Sequence, residues 1–149
     1  MNKFALLLSA LLILLSTNVS AQLEVYKDYD LGTTILEITT VKIDPNMGDV
    51  YLEGLRDSWV KAVKMQKELG YIKDWKIYAS DLPQSGDFNM VLVVVFEKAS
   101  DLEPNKEKYL AFMEKWGEAN RENARKISKE YPKVRSLTGQ YRMREVIMK

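Results

Sequence analysis

The sequence predicts an α+β domain with the element order β-α-β-β-α-β, and three observations carry that prediction. Phe88 to Glu97 is apolar at nearly every position and holds no Gly or Pro, as in a strand covered on both faces. Two long stretches, one after Met47 and one after Pro104, repeat apolar residues at helical spacing. A β-branched run opens the domain at Thr33–Ile43, and an alternating run closes it at Gln140–Ile147.

Before the domain, residues 1–21 read as a cleaved signal peptide: Lys3, the apolar run Phe4–Leu15, then small residues at Val19-Ser20-Ala21. The run falls short of the roughly 20 residues a membrane span needs. The protein is therefore expected to be exported, to the periplasm or beyond, with no span left after cleavage before Gln22. Lys3 is the one charge in that segment, so 22 basic residues become 21 against 21 acidic ones, a net charge of zero. A nucleic-acid binder normally carries a basic excess, so that class is disfavoured and no nucleic-acid partner is expected.

Residues 22–32 form an N-terminal arm or edge strand, and 33–149 the folded domain. Thr33–Ile43 is the first core strand. Asp44-Pro45 reads as an N-cap followed by proline at the first helical position. The first helix runs over Met47–Leu69, with Val50, Tyr51, Leu55, Trp59, Ala62 and Val63 inward and Gly70 as its stop. Ile72–Ser80 is the second strand, Leu82–Asp87 a turn with Pro83, Ser85 and Gly86, and Phe88–Glu97 returns as a hairpin. Ser100–Pro104 leads into a second helix, with Tyr109, Phe112, Met113, Trp116, Ala119, Asn123, Ile127 and Tyr131 inward, ending before Pro132. Val134–Met148 is the last strand. This order is the ferredoxin-like arrangement, a four-stranded antiparallel sheet with both helices on one face.

With no His and no Cys, Ser-His-Asp and Cys-His sites and the usual zinc and haem ligand sets are excluded. A general acid or base would have to be a carboxylate, Lys or Tyr. No cofactor is implied.

Helices on one face leave the other face of the sheet unaccounted for. If Phe88, Met90, Leu92, Val94 and Phe96 pack under the helices, Val91, Val93 and Val95 face water. Burying three valines is worth about 4–6 kcal/mol, comparable to the stability of a small domain. A second copy of the same sheet is the favoured cover, since isologous dimers are the commonest oligomers. The Leu23–Leu31 arm or an extra strand is the alternative.

The chain resembles the dimeric α/β-barrel superfamily, notably in Thr40-Val41-Lys42-Ile43-Asp44-Pro45 at the start of helix one and Gly70-Tyr71-Ile72-Lys73-Asp74-Trp75 before strand two. The likeness is to its exported, uncharacterised members. It implies two sheets packed face to face around a cavity. Superfamily members include cofactor-independent monooxygenases, lactone isomerases, haem-degrading proteins and binding proteins. The haem-handling members rely on a histidine that this chain lacks.

Strand alternation sets Val41, Ile43, Trp75, Ile77, Tyr141 and Met143 as core. Lys42, Tyr78, Asn89 and Arg142 are then candidate ligand-binding residues on the cavity walls, beside Thr40, Lys76, Gln140 and Arg144. Two functions follow. One is an exported dimer binding a small, anionic or carbonyl-bearing molecule. The other is a cofactor-independent monooxygenase or isomerase in which Tyr78, Asn89 or Arg142 polarises a substrate.

Overall fold

The computed structural model describes residues 22–82 and 86–149. The signal-peptide segment and the Pro83 and Ser85 turn positions lie outside them. Four strands form one sheet: β1 (Tyr29–Ile43), β2 (Asp74–Ala79), β3 (Met90–Phe96) and β4 (Arg135–Met148), in the spatial order β2-β3-β1-β4. β3 lies antiparallel between β2 and β1. Three helical segments complete the fold: α1 (Gly48–Asp57), α2 (Trp59–Glu68) and α3 (Lys106–Glu130). The topology is ferredoxin-like.

The core lies between the helices and one sheet face, where Val41, Ile43, Met90 and Leu92 meet Tyr51 and Leu55 of α1. Trp59 and Trp75 meet edge to face at 5.8 Å, and Trp116 is buried against Phe112. All three tryptophans serve packing.

The helix starts differ from the sequence reading. Asp44 is not an N-cap. Its carbonyl accepts from Met47 N–H at 3.1 Å across Pro45 and Asn46, and Asn46 has φ +65°. Proline followed by a positive-φ residue is the pattern of a type II turn, so the chain turns first and α1 begins at Gly48. Similarly, Pro104 sits ahead of α3, whose N-cap is Asn105, with Oδ1 accepting from Lys108 N–H at 2.8 Å.

Both predicted helices are broken. The first divides at Ser58 (φ −127°, ψ −85°), whose hydroxyl donates back to Gly54 O at 2.7 Å. Such back-bonding from a serine bends helices. The second carries non-helical backbone at Gly117 (φ 72°, ψ 162°), a region essentially reserved to glycine. Asparagines of α3 bridge both breaks: Asn120 Nδ2 donates to Trp116 O at 2.8 Å and Asn123 Nδ2 to Asp57 O at 3.3 Å. Gly70 ends α2 as expected. It has φ +69°, its N–H bonds Lys67 O and Tyr71 N–H bonds Gln66 O, the paired bonds of a Schellman motif.

Among the described residues, 22–30 form a separate small unit with Met148 and Lys149. Within it Glu24 N–H donates to Asp28 Oδ2 at 2.7 Å, Lys149 N–H to Asp28 O at 3.1 Å, and Lys149 Nζ pairs with Asp30 at 3.0 Å.

Candidate functional site

The β1–β3 register runs unbroken from Ile35↔Phe96 to Val41↔Met90. Val41 and Met90 are core under the helices, so Ile35, Glu37 and Thr39 share their side. Leu36, Ile38 and Thr40 then lie on the opposite, open face with Val95, Val93 and Val91. On β2 the matching residues are Asp74, Lys76 and Tyr78.

β4 joins this frame through two side-chain contacts. Thr138 Oγ1 donates to Thr40 Oγ1 at 2.8 Å. Arg142 Nη2 pairs with Glu37 Oε1 at 2.6 Å. A Cβ on Gly139 would meet the Tyr141 ring at 2.5–2.8 Å, which places Gly139 and Tyr141 on one face, as strand alternation requires. Gly32 lies across from Glu145, the two approaching at 3.2 Å.

This corrects the strand-four assignment. Tyr141 and Met143 are not core: they are 48% and 47% exposed. Arg142 is paired with Glu37 at 2.6 Å. The expectation of three valines facing water is also revised. Val93 is only 7% exposed in the single chain, because it stands between the longer side chains of Ile38 and Lys76. Tyr78, opposite Val91, carries exposed aromatic surface on this face.

The four candidate residues are thus not gathered in one pocket. Lys42 follows Val41 at the end of the open face and donates from Nζ to Gly86 O at 2.7 Å. Tyr78 is 53% exposed beside Val91. Asn89 is a structural clamp: Oδ1 accepts from Ile43 N–H at 2.7 Å and Nδ2 donates to Ile43 O at 2.9 Å. Its amide continues the β1–β3 ladder past the end of β3. Lys42 and Asn89 do border a common cleft of about 760 Å³ with Asp44, Asp49 and Ser80 at the end of the sheet.

The polar network inside the helix layer escaped the sequence reading. Tyr131 Oη and Ser58 Oγ are 2.7 Å apart, the rings of Tyr51 and Tyr131 meet edge to face at 5.2 Å, and the Arg135 guanidinium lies 5.0 Å from the Tyr131 ring centre. Burial raises the pKa of both phenols, against the opposing pull of Arg135. Phenols raised from 10 keep their protons at neutral pH, so this cluster works as packing and hydrogen bonding, not as a base. Among the described residues no group of His, Cys, Asp or Glu is arranged to hold a metal. Among them, too, no helix is long and apolar enough to cross a membrane.

No family model matches the chain, and no curated protein matches it in sequence. Three solved structures are similar in fold. HapK from Hahella chejuensis aligns at 7% identity and TM-score 0.44, over 74% of this chain and 91% of its own. A dimeric protein of unknown function and ferredoxin-like fold from Bacteroides fragilis aligns at 11% identity and TM-score 0.41, over 80% and 100%. A dimeric ferredoxin-like protein of unknown function from Thermobifida fusca aligns at 12% identity and TM-score 0.34, over 78% and 92%.

Proposed function

We propose that this is a small exported binding protein that works as a homodimer, two open sheet faces enclosing a site for a small molecule. The observation that carries the reading is the composition of that face: Leu36, Ile38, Val91, Val93 and Val95 lie together on the side of the sheet opposite the core of Val41, Met90 and Leu92. Contiguous apolar surface of this kind marks an interaction site. Lys42 and Tyr78 border the field and supply the cation and the phenol that would orient a ligand with an anionic or carbonyl group.

Binding is favoured over catalysis by the same geometry. Of the groups suited to polarising a substrate, Asn89 is engaged with Ile43, Arg142 with Glu37 and Lys42 with Gly86 O. The phenols with raised pKa belong to the helix layer, away from the open face.

The test is light scattering on the purified protein over a range of concentrations, followed by a thermal-shift screen of small carboxylates and carbonyl compounds. A dimer whose melting temperature rises with a ligand, and no longer rises in Lys42→Ala/Tyr78→Phe, supports the reading. A monomer at all concentrations overturns it.

A further inference from the structure

The small N-terminal unit carries a candidate modification site at Gln22. Cleavage after Ala21, which belongs to the exported reading above, makes Gln22 the first residue of the mature chain. A first-position glutamine holds a nucleophile and an electrophile on one residue: its own α-amine and its side-chain amide carbon, spaced so that joining them closes a five-membered ring. α-Amines titrate near neutrality, so a share of them is unprotonated and nucleophilic at neutral pH.

Gln22 has room to make that bond. It is exposed, and among the described residues the open space of about 440 Å³ beside it is lined only by Gln22, Leu23, Glu24 and Val25. The chain is first pinned at Glu24. The Glu24 N–H donates to Asp28 Oδ2 at 2.7 Å, and its carbonyl accepts from Asp28 N–H at 2.9 Å and Lys27 N–H at 3.3 Å. Asp28 O in turn accepts from Lys149 N–H at 3.1 Å. Only Gln22 and Leu23 therefore stand between an exopeptidase and the residue that holds this unit together.

We propose that Gln22 cyclises to pyroglutamate in the mature protein. The α-nitrogen attacks Cδ of the side-chain amide, the N–Cδ bond forms and the Cδ–Nε2 bond breaks. Nε2 leaves as ammonia, taking the proton that the α-nitrogen gives up. The step needs no oxidant, reductant or second substrate. The ring turns the α-nitrogen into an amide, removes the positive charge of the terminus and leaves an aminopeptidase without the free amine it recognises. It thereby protects the Glu24–Asp28 contacts from trimming.

The experiment expresses the full chain with its own leader in an exporting bacterial host, ages the purified protein at neutral pH and reads its N-terminal peptide by mass spectrometry. The expected species begins at Gln22, is lighter by one ammonia and resists stepwise N-terminal sequencing until pyroglutamyl aminopeptidase exposes Leu23. Gln22→Ala changes an exposed residue that cannot form the ring. It should keep its free amine and lose its first residues to an added aminopeptidase, whereas the aged parent should not. A Gln22 peptide that keeps its full mass and free amine after ageing overturns the proposal and leaves export standing. Exported protein that still carries residues 1–21, or that starts at another position, overturns the cleavage reading and this proposal together. A parent trimmed as fast as Gln22→Ala refutes the protective role.

Discussion

Asn89 shows how a single polar side chain in an apolar strand can be spent on architecture. Both of its amide atoms close on Ile43, so Asn89→Ala removes two hydrogen bonds and leaves the Ile43 N–H and C=O facing the gap. The expected loss is about 1–3 kcal/mol of unfolding free energy by urea titration. Asp74 gives a pH signature. The side chain of Lys67 at 2.7 Å, the backbone of Trp75 and Lys76 at 3.3 Å hold its pKa down, from 3.8 to about 2. A depressed carboxylate binds protons more readily unfolded than folded. Its contribution is therefore complete above pH 3.8 and is lost as the pH falls through about 2. Melting temperature measured in low salt should fall across that window, and the slope should flatten in Asp74→Asn. An unchanged slope would show that the contacts to Lys67 and Lys76 are not held in solution. What the sequence disclosed at this scale was residue type. That Asn89 is polar within a strand is plain to read, but its partners lie 46 positions away in the chain.

At the scale of elements, the hydrophobic pattern located every strand and helix but not the interruptions within them. The apolar repeat runs through Ser58 and Gly117 without a gap, because each break shifts the helix while keeping its buried face toward the sheet. Gly117 is the sharper case. Its backbone conformation costs a side chain of order 1–3 kcal/mol. Gly117→Val should lower stability by at least that much, whereas Gly48→Ala, where nothing lies within 4 Å of an added Cβ, should be neutral or stabilising. If Gly117→Val melts like the parent, the break at that position is not obligatory.

For the whole molecule, β4 is an edge strand of 14 residues with one side of its backbone unpaired. Edge-to-edge pairing is guarded by charge: a two-fold axis through Met143 would set Arg142 against Arg144 of a second copy. Association through the face meets no such barrier, which is a further reason the proposed dimer uses it. Val91→Lys and Val95→Lys place charges in the middle of the apolar field and should convert a dimer to a monomer in light scattering, with helical circular dichroism retained. A dimer that survives both substitutions would have to form elsewhere.

The sequence by itself determined the order of elements, the single antiparallel sheet with its two helical connections, and the absence of histidine and cysteine chemistry. Those are properties of local pattern and composition, readable over windows of about ten residues. Tertiary structure alone decided where the helices break and which backbone and side-chain groups hold Asn89 and Arg142. The physical reason is that each depends on contacts between distant residues. A strand's alternation tells that two faces exist, but the partners of Asn89 and Arg142 lie 46 and 105 positions away in the chain.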